Sequence, residues 1–188
     1  MKTIAYVTSN NGKFLEVQRY LQRQAPDINL VRADVDIEEI QSMDQYTIAI
    51  DKAQKAWAQL KIPLLIDDAG IYFNRWHEFP GVLTKFIYKG IGMDGIKRLI
   101  DEGDTGYFKL WLIYADEHGT LHPFEGRCDG QLTAAYQGDS HAELPFDVCF
   151  KPDGLEKTYA EIQHEPAYEN YFYRIRALKA FLTWFKQS

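Results

Sequence analysis

Apolar and polar positions along the chain change period several times, and each change marks an element. Residues 2–8 are rich in β-branched and aromatic side chains and read as a buried strand. Asn10 or Asn11 then serves as an N-cap, and Phe14, Val17 and Leu21 recur at helical spacing to about Arg23. Residues 29–32 and 35–40 read as short strands. A second helix is predicted over 44–60, with Ile48, Ala49, Lys52, Ala56 and Leu60 tracing its faces, and Pro63 closes that region. Leu64-Leu65-Ile66 is a short, wholly apolar strand, and residues 94–101 read as a short helix. Residues 106–115 and 120–127 form a strand pair around Asp116-Glu117-His118-Gly119, and 131–135 continues the strand-rich part. Tyr168, Tyr171, Phe172, Ile175, Leu178, Leu182 and Phe185 lie on one stripe of a final helix. Alternating helix, strand and hairpin predicts an α/β chain with a mixed sheet.

The 188 residues suit one domain, 1–188, large enough for a substantial core, though a cleft can still divide it into two lobes. A formal net charge of −6 excludes a general polyanion binder, which needs clustered Lys and Arg, but not a small anionic ligand held by a few focused lysines. No nucleic-acid partner is expected. The first residues are too short for a signal h-region, and no apolar run approaches the ~18–20 residues that span a bilayer. Cys128 and Cys149 lie in apolar, strand-like sequence and read as buried free thiols, so a cytoplasmic setting without membrane contact is expected. His77, His118, His122, His141 and His164 show no metal-ligand spacing and take no role; His118 fits a hairpin turn.

Two segments carry candidate chemistry. A strand running into Thr8-Ser9-Asn10-Asn11-Gly12-Lys13 and then a helix offers an anion unpaired N–H groups and the positive end of the helix dipole. Gly12 permits close backbone approach, Thr8 and Asn10 add side-chain donors, and Lys13 adds a full charge. This is not a Walker A loop, because Lys13 precedes Phe14 and the glycine spacing is absent. Taken alone, it equally describes an asparagine-capped helix with a solvated lysine. The second segment, Leu64-Leu65-Ile66-Asp67-Asp68-Ala69-Gly70, puts two acids at the end of an apolar strand, costly unless they meet a metal or cations. Magnesium takes a few carboxylates, water and phosphate oxygens, and a carboxylate there can also activate water. Glu38-Glu39 can add a ligand.

Together with four further segments, these resemble the inosine triphosphate pyrophosphatase family, over nearly the whole chain and in family order. Thr8 to Glu16 is similar to the signature (S/T)-x-N-x-x-K-x-x-E, and Asp67-Asp68-Ala69-Gly70-Ile71 to the acidic pair. Phe79-Pro80-Gly81-Val82 with Lys85, Phe124-Glu125-Gly126-Arg127, Phe150-Lys151-Pro152-Asp153-Gly154 and Lys157-Thr158-Tyr159-Ala160-Glu161 resemble later family segments. The resemblance implies an elongated mixed β-sheet flanked by helices, two lobes with a central cleft, and a homodimer. It implies a Mg2+-dependent hydrolase that cleaves a nucleoside triphosphate between the α- and β-phosphates and removes deaminated purine nucleotides (ITP, dITP, XTP). By position, Thr8, Asn10, Lys13, Lys52 and Lys85 would bind phosphates. Glu39 and Asp68 would hold the metal, Asp68 would activate water, and Asp67 would stand behind them.

The base end departs from the family pattern. Where members carry Phe-Gly-(Trp/Tyr)-Asp, this chain has Leu144-Pro145-Phe146-Asp147, which leaves Phe146 and Asp147 as base-binding candidates. Where members carry Ser-His-Arg preceded by a lysine, it has Phe172-Tyr173-Arg174 preceded by Tyr168, and only Arg174 remains. Each lost buried hydrogen bond costs ~1–3 kcal/mol of discrimination, so an altered or relaxed base preference is expected. Phe172 reads as core, whereas Tyr173 lies off the apolar stripe and is the better candidate for touching ligand. Two alternatives stay open: a nucleotide-binding or regulatory module without catalysis, and a pyrophosphatase selective for another modified or pyrimidine triphosphate.

Overall fold

A computed structural model of the chain describes residues 2–139, 144–166 and 168–187. His141 lies outside the described residues. Strand β1 (Lys2–Val7) is buried continuously from Ile4 to Val7, as a strand must be when both its faces are covered. It pairs in parallel with β2 (Ile28–Ala33) along its whole length, and with β3 (Leu64–Phe73) over Ala5–Val7. Helix α1 (Asn11–Gln24) joins β1 to β2, and α2 (Gln45–Leu60) precedes β3. The N-cap of α1 is Asn10, whose side chain accepts the Lys13 N–H; Asp44 caps α2 by accepting from Tyr46 and Thr47. Ala49, Ala53 and Ala56 on α2 pack on Ala5, Val7, Leu64, Ile66, Ile113 and Ala115. That run of alanines lets the helix approach the sheet closely.

The remaining elements are β4 (Phe79–Pro80), α3 (Thr84–Lys97), β5 (Thr105–Ala115), β6 (Leu121–Leu132), β7 (Phe150–Pro152), α4 (Tyr159–Ile162), α5 (Tyr168–Tyr171) and α6 (Tyr173–Phe185). The mixed seven-stranded sheet runs β2-β1-β3-β5-β6-β7, with β4 antiparallel to β3, and helices flank it. Two compact units emerge from this order. One is built from the chain up to Asp68, Leu110–Gly126 and the residues from Ala177 on; the other from Ala69–Lys109 and Arg127–Arg176. In the first, the turn after β5 is closed by Asp116, whose carboxylate accepts the N–H groups of His118 and Thr120. In the second, Gly70 is needed for close approach, because a Cβ there would stand 2.5 Å from the carbonyl oxygen of Gly81.

Several expectations change. Residues 35–40 form no strand, because every residue from Asp34 to Met43 is at least partly exposed and the segment has no ladder. The short helix expected at 94–101 is the tail of the longer α3, broken at Gly92 with φ 61°. The strand expected at 64–66 runs on to Phe73, so the two acids sit inside it. The strand expected at 131–135 stops at Leu132. The last helix is interrupted at Phe172 between α5 and α6.

Candidate active site

The parallel ladder between β1 and β3 ends at the pair Val7 and Ile66. Beyond it β1 turns into Thr8, Ser9 and Asn10, while β3 continues into Asp67 and Asp68. Both acids therefore lie past the end of the parallel pairing although they are inside a strand. Their position matches the rule that ligands gather at the carboxyl ends of parallel strands.

The turn is fixed by its own hydrogen bonds. The Asn10 N–H donates to Thr8 Oγ1 at 3.1 Å, and the Lys13 N–H donates to Asn10 Oδ1 at 2.8 Å. Helix α1 then aims the Lys13 side chain at β3, where Nζ lies 2.6 Å from Asp67 Oδ1. The other oxygen of this buried carboxylate accepts from the Tyr6 hydroxyl, also at 2.6 Å. Helix α1 and strand β1 thus supply Asp67 with a charged and a neutral donor.

Lys52 reaches across from α2. Its Nζ is 3.1 Å from Glu39 Oε1, 3.3 Å from Asp68 Oδ1 and 3.4 Å from the Asp67 carbonyl. Gln45 Nε2 donates to the Asp68 carbonyl at 3.3 Å and ties the start of α2 to the same strand. Burial alone would lower the Lys52 pKa, but Asp68 and then Glu39 outweigh it and hold the ammonium above the ordinary lysine value. Asp68 is pushed above the ordinary carboxylate value by burial; Lys52 and Lys13 pull it back only in part. The two directions agree physically, because one ammonium serves two acids while Asp68 also faces the like charge of Glu39.

Three carboxylates here face two ammonium groups. The excess negative charge and the hard oxygen donors of Glu39 and Asp68 suit a magnesium ion that keeps waters and takes substrate oxygens. Among the described residues no group of three or more His, Cys, Asp or Glu could hold a metal by itself.

Thr8, Asn10, Lys13, Glu39, Lys52, Asp67 and Asp68 are thus gathered in the first unit. Lys85 lies exposed in the first turn of α3, in the second unit. Phe146 and Asp147, also in the second unit, are buried on the short 3-10 turn Pro145–Cys149. Arg174 is fully buried at the start of α6, with its guanidinium 5.5 and 5.3 Å from the Phe172 and Tyr173 ring centres. Tyr173 is not a surface residue awaiting ligand: it is 4% exposed and stacks on Phe108 with ring centres 4.7 Å apart and planes 5° from parallel. The break at Phe172 restarts the helix at Tyr173, so Phe172 and Tyr173 both turn inward. Three residues of the first unit were not evident from sequence: Tyr6, Gln45 and Arg32. A tyrosine in a buried strand, two residues before the Thr8–Lys13 turn, was the available signal for Tyr6.

Comparison with known proteins identifies the family. The Ham1 family model matches residues 4–184. The chain belongs to the Ham1 family. It is 32% identical over 187 residues to the dITP/XTP pyrophosphatase of Thermococcus kodakarensis, covering 98% of each chain. It is 31% identical over 168 residues to the inosine triphosphate pyrophosphatase of Kluyveromyces lactis, covering 86% of this chain and 85% of that one. A HAM1 protein from Coxiella burnetii superposes with a TM-score of 0.82 over the full length of both chains at 21% identity, which establishes the Ham1 fold. The Ham1 match takes in the Thr8–Lys13 turn, Glu39, Lys52 and both aspartates.

Proposed function

We propose that the chain hydrolyses a nucleoside triphosphate to the monophosphate and pyrophosphate, with deaminated purine nucleotides (ITP, dITP, XTP) among its substrates. The observation that carries this reading is the charge cluster beyond the last β1–β3 pair, where Lys13, Lys52, Asp67, Asp68 and Glu39 meet beside the N-terminus of α1. The names of the Thermococcus and Kluyveromyces relatives support the same activity.

In this reading Thr8, Asn10 and the first turn of α1 donate to phosphate oxygens, and Lys13 and Lys52 neutralise them, with Lys85 a further phosphate ligand. Asp67 and Tyr6 hold Lys13 in place. Asp68 accepts a proton from water as its oxygen attacks the α-phosphorus, and the bond to the α,β-bridging oxygen breaks to release pyrophosphate. A carboxylate raised by burial is a better base near neutral pH than a solvated one. Magnesium held by Glu39 and Asp68 would neutralise phosphate charge. By family position Phe146, Asp147 and Arg174 are the base contacts; all three are about as buried here as Tyr173, so reading a base requires them to become accessible. With Phe172 and Tyr173 committed to packing, fewer polar groups read the base edge, and the preference for ITP and XTP is weaker than in the rest of the family. The reading includes one functional domain over 1–188, a homodimer supported by Phe86 and Ile91 exposed on α3, and a cytoplasmic setting. Two buried free thiols support that setting, as does the finding that no described helix is long and apolar enough to cross a membrane. A net charge of −6 supports a small-molecule partner over nucleic acid.

The test is a panel of common and deaminated triphosphates with magnesium, scoring pyrophosphate, monophosphate and orthophosphate. Equal yields of pyrophosphate and monophosphate, abolished by EDTA, are expected. ITP and XTP should exceed GTP and ATP in kcat/KM by no more than about tenfold, the contribution of roughly one hydrogen bond. Orthophosphate as the product overturns cleavage at the α-phosphate, and a preference of a hundredfold or more overturns the relaxed base reading.

A further inference from the structure

We propose that Arg32 is a positioning residue for the phosphate turn, turning the carbonyl groups of that turn away from the bound anion. The inference rests on the reading of Thr8–Lys13 as a phosphate site and adds a residue to which sequence gave no role.

Arg32 stands one position before the end of β2, opposite Tyr6 in the parallel ladder. The ladder continues for one bond into the turn, from the Thr8 N–H to the Ala33 carbonyl at 3.1 Å. From there the guanidinium takes over. Its Nε donates to the Thr8 carbonyl at 3.1 Å, Nη2 to the Ser9 carbonyl at 2.8 Å and Nη1 to Asn11 Oδ1 at 3.4 Å. One rigid planar group thus holds three acceptors of four consecutive residues, which no flexible ammonium can imitate.

The consequence follows from peptide geometry. In a planar trans peptide the carbonyl and the next N–H point in opposite directions. Holding the Thr8 carbonyl toward Arg32 sends the Ser9 N–H the other way, and holding the Ser9 carbonyl does the same for the Asn10 N–H. That N–H donates to Thr8 Oγ1 at 3.1 Å, within the turn itself. Carbonyl oxygens carry partial negative charge and repel phosphate, so a turn free to flip its peptides would present the wrong dipoles part of the time. Arg32 removes that freedom. Its side chain is one-third exposed, and its nearest carboxylate, Asp34 Oδ2, is 4.0 Å away, so the guanidinium belongs to the turn more than to an ion pair.

A residue acting this way contributes to ground-state and transition-state phosphate binding alike, which raises KM on removal and spares kcat. Arg32→Ala and Arg32→Lys are compared with the full-length wild-type protein in magnesium buffer. Inorganic pyrophosphate binding is measured by calorimetry, steady-state kinetics on ITP are followed, and melting temperatures are recorded. The expected result for both variants is pyrophosphate affinity and KM each worse by about tenfold, kcat within about threefold and an almost unchanged melting temperature. Wild-type affinity in Arg32→Ala overturns the proposal. So does full recovery in Arg32→Lys, which would show that charge and not the fork is required. A kcat that falls in step with the melting temperature also overturns it, by showing a purely structural role. If the wild type binds no pyrophosphate, the phosphate reading of the turn fails and the Arg32 role fails with it. Wild-type binding with an unaffected Arg32→Ala defeats the Arg32 role alone.

Discussion

Two side-chain clusters of this molecule, one charged and one aromatic, are held together in opposite ways. In the first unit Asp67, Asp68, Glu39, Lys13 and Lys52 are joined by ion pairs of 2.6, 3.1 and 3.3 Å. In the second unit Phe108, Phe150, Tyr159, Phe172 and Tyr173 stack and edge against one another, with ring centres 4.6 to 6.5 Å apart. The charge cluster is held by partners: remove one, and the other is left in a poor solvent. The aromatic cluster is held by shape: polarity matters less there, but lost volume leaves a cavity. The difference teaches where chemistry and where packing have priority. Under the proposed function, the groups that would meet a triphosphate stay charged at a cost in stability, whereas the groups that fill space do so without regard to a ligand's hydrogen bonds.

The largest expected effect breaks the chemistry while leaving the charge cluster folded. Asp68→Asn should lower turnover by about a thousandfold, the contribution of a positioned general base. The sign of its stability effect follows from the raised pKa. The folded state binds this proton more tightly than the unfolded one, so metal-free protein gains stability as pH falls through the Asp68 pKa from neutrality. Asparagine stands in for the protonated form, and the metal-free variant should melt no lower than wild type at neutral pH. Near wild-type pyrophosphate release would remove Asp68 from the mechanism.

The next effect tests the aromatic side. Tyr173→Ala removes a stacked, buried ring and should cost about 3–5 kcal/mol in chemical denaturation. A loss below about 1 kcal/mol, with altered nucleotide preference, would return Tyr173 to the surface and to the ligand.

What sequence revealed follows the same divide. The two aspartates stood out because paired acids after an apolar strand are improbable without a partner, and the turn gained weight only beside them; Glu39 and Lys52 were singled out through the family resemblance. The β1 and β3 strands and the first two helices were legible from period, and the first helix also from its asparagine cap. Tyr173 was not, because its placement depends on a break at Phe172 that no proline or glycine announces. Residues 35–40 alternate like a strand, yet pairing requires a free neighbouring edge, which local pattern does not contain. Arg32 escaped notice for a related reason: its three contacts lie more than twenty residues away along the chain.

The smallest predicted effect separates stability from binding inside the charge cluster. Lys13→Met leaves the buried Asp67 carboxylate without its ammonium, with the Tyr6 hydroxyl at its other oxygen. Such a loss should cost about 2–3 kcal/mol in stability and weaken triphosphate binding. Asp67→Asn alone removes the buried charge but also the anchor of Lys13. If Asp67 serves only to hold Lys13, the double variant Lys13→Met/Asp67→Asn should recover most of the lost stability, since no uncompensated charge remains, and none of the lost affinity. Denaturation and pyrophosphate titration of the four proteins form a closed cycle that reads both terms. Recovery of affinity together with stability would mean that Lys13 acts through the fold and not through the phosphates. A double variant as unstable as Lys13→Met would mean that packing of the lysine stem, rather than the buried carboxylate, dominates at this position.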